Sequence, residues 1–122
     1  MVSFPVLICD DSALARKMVQ RSLPNNFASE IELVSNGQEA INKLIEGSFA
    51  LVILDLVMPI MNGIEVLEAL KEECIDVFVI IVSGDIQPEM KSRVAKFGTL
   101  DFIEKPIDKT KLHNVLTRFG LY

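Results

Sequence analysis

Side chains able to handle charge stand at comparable places along this chain, each just beyond an apolar run. Ala50-Leu51-Val52-Ile53-Leu54 has no polar break and ends in Asp55. Val6-Leu7-Ile8-Cys9 ends in Asp10-Asp11, Phe78-Val79-Ile80-Ile81-Val82 in Ser83-Gly84, and Leu100-Asp101-Phe102-Ile103 in Glu104-Lys105-Pro106. An unbroken apolar run bounded by turn signals reads as a strand buried on both faces. Open α/β sheets place their ligands at the carboxyl ends of such strands. Three acids, a hydroxyl and a lysine are therefore expected at one end of one sheet.

Three carboxylates so close repel one another, and two sharing a site drive one pKa upward. A divalent cation removes the conflict. Mg2+ suits oxygen-only ligands, takes one or two carboxylates, and keeps waters and phosphate oxygens in its shell. Lys105 adds a point positive charge, and Ser83 a donor for a phosphoryl oxygen. The set is poor in general bases and rich in charge neutralisers, the balance phosphoryl transfer needs. A carboxylate can itself accept the group as an aspartyl-phosphate. Each residue alone has a plainer reading: Asp10 or Asp11 as a helix N-cap, Ser83 as a loop opener, Lys105 as a surface charge. Asp55 resists that treatment, because an acid after five buried residues requires a partner. Their joint occurrence at one sheet end carries the argument.

The elements that must position these groups alternate along the chain. Ser12 to Leu23 forms a first helix, with Leu14 and Met18 on one stripe and Pro24 as its stop. A short strand at Ile31–Val34 follows. A second helix spans about Gly37 to Glu46, with Ala40, Ile41, Leu44 and Ile45 at helical spacing. Pro59 and Asn62-Gly63 mark the turn after Asp55, and Ile64, Leu67 and Leu70 mark a third helix. Pro88 opens a fourth, with Met90, Val94 and Phe97 at helical spacing and Gly98 at its end. Asp108 caps a fifth, which carries Leu112, Val115, Leu116 and Phe119. Phe97 and Phe119 are expected in the core. His113 falls between apolar positions and is expected to face water, as are the charges Lys91, Arg93 and Lys96. Five strand–helix units demand parallel pairing and right-handed crossovers. The expected fold is α/β: a five-stranded parallel sheet in the flavodoxin-like order 2-1-3-4-5, with helices on both faces. That order sets the ends of strands one and three, hence Asp10, Asp11 and Asp55, side by side.

The 122 residues read as one domain, residues 1–122, large enough to bury a core. Half of them are hydrophobic, and mean hydropathy is +0.37, which excludes disorder. A net charge of −5 argues against direct nucleic-acid binding. No spanning segment or signal peptide is evident, so no membrane insertion is expected. Cys9 and Cys74 lack metal-like spacing and read as reduced thiols, consistent with a cytoplasmic setting.

Over essentially its whole length the chain resembles the receiver domain of two-component response regulators. The matching pieces are Asp10-Asp11, Leu54-Asp55-Leu56-Val57-Met58-Pro59 with Met61-Asn62-Gly63, Val82-Ser83-Gly84, and Lys105-Pro106. Their separations of 44, 28 and 22 residues look like the family's. The resemblance implies that Asp55 is the phosphoacceptor, served by a histidine kinase or histidine phosphotransfer protein. It implies Mg2+ ligated by Asp11, Asp55 and the carbonyl of Val57, with Asp10 acting through a metal-bound water. Ser83 would bond the phosphoryl group and draw its loop inward, Lys105 would pair with the group, and the Lys105-Pro106 bond would be cis. The fourth helix, fifth strand and fifth helix would form the output surface, for a downstream protein or a fused effector domain.

Three positions depart from the family pattern. Phe102 stands where a switching tyrosine is common, keeping the ring without a hydroxyl to hold it outward. Val57 replaces a polar residue of many chemotaxis regulators; it and Asp85 flank the phosphoryl site. Leu100 replaces an acid usual in winged-helix transcription factors. An Mg2+-dependent phosphohydrolase acting through an aspartyl-phosphate is the alternative enzyme reading, but Val57 stands where its leaving-group acid belongs. A phosphorylation-independent adaptor receiver is disfavoured because no matching position is missing. The chain reads as a single-domain regulator of the chemotaxis type or as an amino-terminal receiver from a longer protein.

Overall fold

The computed structural model describes residues 3–84 and 87–122. Five strands alternate with five helices: β1 (Phe4–Cys9), α1 (Ala13–Ser22), β2 (Ala28–Val34), α2 (Gly37–Glu46), β3 (Leu51–Leu54), α3 (Gly63–Glu72), β4 (Phe78–Ser83), α4 (Pro88–Ala95), β5 (Asp101–Glu104) and α5 (Lys109–Arg118). All described pairings are parallel and the order is β2-β1-β3-β4-β5, as the alternation of elements predicts.

The strand side chains divide by parity, as a pleat requires. Leu7, Cys9, Val52, Leu54, Val79 and Ile81 pack on the face covered by α2, α3 and α4. Val6, Ile8, Leu51, Ile53, Ile80 and Val82 pack on the opposite face with Val19 of α1 and Leu112, Val115 and Leu116 of α5. Residues on both faces are sealed, so the strands read as unbroken apolar runs.

The helix periodicity overreaches at element ends. Leu14 is 68% exposed and Phe119 43% exposed, and Ile45 also faces solvent. α4 stops at Ala95, so Phe97 lies in the following turn, half-buried, and Gly98 takes φ +79°. His113 does not face water freely: it is half-buried against Tyr122, and its Nε2 is sealed with no hydrogen-bond partner among the described residues.

The strand order gathers α4, β5 and α5 at one edge of the molecule. Residues 87–122, which build that edge, carry seven basic and four acidic residues. The first 86 residues carry five basic and thirteen acidic.

Candidate functional site

Register places the reactive groups. Cys9 is paired with Leu54, so Asp10 and Asp55 leave the sheet side by side, and the Asp55 amide donates to the Cys9 carbonyl at 3.0 Å. Ser83 closes β4 opposite Glu104, and the next residue, Lys105, donates its amide to the Ser83 carbonyl at 2.9 Å. The four strand ends of the sequence reading therefore meet. The Lys105-Pro106 peptide is cis.

Asp10, Asp11 and Asp55 each offer an oxygen within 4.8 Å of the others. Asp10 and Asp55 are buried and Asp11 is exposed, so the cluster is a pit with one open side. The Lys105 ammonium bridges the two buried acids, 2.8 Å from Asp10 Oδ2 and 3.2 Å from Asp55 Oδ2. Asp55 Oδ1 accepts from the Leu56 amide at 2.8 Å, with the Val57 amide at 3.5 Å. Burial, and then the charge of Asp10, raises the Asp55 carboxyl above its ordinary range against the opposing pull of Lys105. At Lys105, burial works against the charged form, but hydrogen bonds and charge from both acids prevail and raise its pKa.

Neither Asp10 nor Asp11 caps α1. Ser12 does, accepting from the Ala15 amide, while Asp10 Oδ1 accepts from the Ser12 amide at 3.0 Å. Arg16 reaches back from α1 to the Asp10 carbonyl at 2.7 Å. The loop after β3 is folded tightly: the Gly63 amide donates to the Leu56 carbonyl and the Gly37 amide to the Met61 carbonyl, each at 2.9 Å. A Cβ at Gly63 would meet the Asp55 carbonyl oxygen at 2.5 Å, and one at Gly37 the Met61 carbonyl oxygen at 2.2 Å. Asn62 then caps α3 in a reciprocal pair with Glu65. These supports were missed in the sequence, although Asn62-x-x-Glu65 is a readable capping signal.

Ser83 is fully buried at the end of β4, and the Val57 side chain is exposed. Asp85 lies outside the described residues. Phe102 is half-buried on the α4 side of the sheet, and the Lys91 ammonium lies 5.5 Å from its ring centroid. Lys91 is exposed, as the sequence suggests, and also lies within cation–π range of the ring that lacks a hydroxyl.

A doubly wound parallel sheet with an acid triad and a lysine at its carboxyl end defines an α/β domain whose strand ends form an anionic site able to hold a cation. The model of the response regulator receiver domain matches residues 6–117, and the chain belongs to that family. The chemotaxis protein CheY of Bacillus subtilis is 31% identical, over 93% of this chain and 94% of its own. A protein-glutamate methylesterase/protein-glutamine glutaminase of Clostridium acetobutylicum is 36% identical over 97% of this chain, which spans 36% of that relative's length. Among solved structures, CheY4 of Vibrio cholerae superimposes with a TM-score of 0.84 at 28% identity, covering 96% of this chain and 98% of that one. A chain of the CheX-CheY-BeF3-Mg2+ complex of Borrelia burgdorferi gives 0.86 at 30% identity, covering 95% and 89%. Receiver domains of two-component systems work in general as phosphorylation-activated switches, and this chain is one of them by family. Among the described residues no helix is long and apolar enough to cross a membrane.

Proposed function

We propose that residues 1–122 form one receiver domain that accepts a phosphoryl group on Asp55 from the phosphohistidine of a kinase or phosphotransfer protein. The observation that carries this reading is the convergence of Asp10, Asp11 and Asp55 within 4.8 Å, with Lys105 bridging the two buried acids. An Asp55 carboxylate oxygen forms a bond to phosphorus as the P–N bond breaks, and that bond's electron pair stays on the donor imidazole. Desolvation leaves the Asp55 carboxylate more basic than a hydrated one, which suits it as a nucleophile.

The Lys105 ammonium, already between the acids, turns to the incoming oxygens, and the Ser83 hydroxyl donates to one of them. The donor set is all oxygen and strongly anionic, which fits Mg2+. Asp10, Asp11, Asp55 and the Val57 carbonyl would hold it. When bound, Mg2+ supplies the positive charge that lets three carboxylates and a phosphoryl group share the pit.

Ser83 moving inward carries the loop after β4 with it and opens room beneath α4 for Phe102. The Lys91 contact is then broken, which changes the α4, β5 and α5 surface offered to an output protein or fused effector domain. The domain is a cytoplasmic signalling module rather than a metabolic enzyme, though it assists its own phosphorylation and dephosphorylation. Acetyl phosphate with Mg2+ should add one phosphoryl mass, labile to hydroxylamine, and excess EDTA or Asp11→Ala should nearly abolish it. Undiminished labelling of Asp55→Asn would refute the assignment.

A further inference from the structure

We propose that Arg16 is a positioning residue for the cation site: it spans Asp11 and holds that acid ready for Mg2+. This rests on the Mg2+ site of the functional reading above. Asp10 is held by Lys105 and by the Ser12 amide, and Asp55 by Lys105 and the Leu56 amide. The Asp11 side chain is exposed and has no hydrogen bond or ion pair to any described residue. Its aim into the site therefore depends on how its backbone is held.

Arg16 holds that backbone on both sides. Its guanidinium donates to the Asp10 carbonyl at 2.7 Å and its amide to the Ser12 carbonyl at 3.0 Å, so the carbonyls of both neighbours of Asp11 end on one residue. The amide bond is the one that the capping residue Ser12 accepts to start α1. The side chain leans back toward the helix N-terminus, as helical side chains do, and so returns over the turn. Asp10 Oδ1, accepting from the Ser12 amide, closes a second bridge across the same acid. A hydrogen bond from a guanidinium is among the stronger kinds. Charge gives a cation site no reason to keep an arginine beside it, because like charges repel. Part of that charge is answered elsewhere: hydrogen bonds from Ser35 first, and then the charges of Arg16 and Lys43, lower the Glu39 carboxyl at the head of α2. What Arg16 contributes to the site is geometry.

Charge and geometry predict opposite signs. Removing a positive charge near a cation site tightens Mg2+ binding, whereas removing the support of a ligand weakens it. Mg2+ titration of backbone amide resonances, with no phosphoryl donor present, reads the affinity directly. Arg16→Met, similar in length and without a donor, should raise the Mg2+ dissociation constant about tenfold, a loss typical for the outer support of a metal ligand. Arg16→Gln, too short to reach the carbonyl, should match it and covers the case in which the first variant does not fold. Arg16→Lys, which keeps a donor at the end of a long stem, should stay within about threefold of wild type. Acetyl phosphate labelling of Arg16→Met should need about ten times more Mg2+ for half its maximal rate, yet come within about twofold of the wild-type rate at saturation. Melting curves in EDTA identify the folded variants. Unchanged or tighter Mg2+ binding in a folded Arg16→Met or Arg16→Gln chain would overturn the positioning role and leave the phosphoacceptor reading intact. Equal weakening in Arg16→Met and Arg16→Lys would overturn it too, since the donor would then not be what holds the turn. A wild-type chain that binds Mg2+ yet takes no phosphoryl group from acetyl phosphate would instead overturn the phosphoacceptor reading and leave the role of Arg16 standing. Wild-type resonances that ignore Mg2+ would overturn both.

Discussion

Asp55 is held in an unfavourable state for a carboxylate. Its carboxyl titrates above the ordinary range, so the folded chain keeps a proton at a pH where the unfolded chain has lost it. The associated stabilisation is complete below the ordinary carboxylate pKa and is lost as pH rises through the raised value. At pH 7 the buried charge is a net cost. Asp55→Asn should therefore be more stable than wild type at pH 7 in EDTA, by about 1 kcal/mol or roughly 4 °C. The gap should close toward pH 4. Melting curves across that range check it, and a variant that melts lower than wild type at pH 7 would mean that the Lys105 pairing outweighs desolvation. The thiols divide just as sharply. Burial, reinforced by the charges of Asp10 and Glu39, pushes the Cys9 thiol far up, whereas Cys74 is exposed. Ellman's reagent should titrate one thiol per native chain and two after denaturation.

At the scale of elements, the loop between β3 and α3 has the least room for error. Gly63→Ala would drive a methyl group into the Asp55 and Leu56 backbone, which cannot step aside. The variant should lose about 2–3 kcal/mol, read from urea unfolding, and label more slowly with acetyl phosphate because Asp55 is displaced. Unchanged stability would show that the loop is softer than its hydrogen bonds suggest. Much of this architecture was legible in the sequence. Strands buried on both faces declare themselves as unbroken apolar runs, and the polar residue ending each run marks the site. What periodicity could not supply was the distance from each helical position to the end of the sheet. Leu14, Ile45 and Phe119 all fit apolar stripes, yet they overhang the layer they should cover. Nor could spacing alone show that Ser12 relieves Asp10 and Asp11 of capping, or that Lys91 reaches Phe102 from the next element. Both are contacts fixed by tertiary geometry.

Taken whole, the molecule has two cores, one on each face of a single sheet, and a site at the strand ends between them. Stability and chemistry meet through linkage. Mg2+ at ten times its dissociation constant should stabilise the fold by about 1.4 kcal/mol, and Asp11→Ala should remove that gain while melting like wild type in EDTA. An equal Mg2+ response in the variant would place the ion elsewhere. The segregation of charge has a consequence of another kind. The edge built by α4, β5 and α5 carries a net +3 from residues 87–122, and the remainder carries −8, so the domain is an electric dipole lying across its sheet. In the field of a charged partner such a body turns before it touches, and collisions are biased toward one edge rather than spread over the surface. Added salt shortens the range of that torque to a Debye length, about 8 Å at physiological ionic strength. The order of five strands thus fixes which way round this protein arrives.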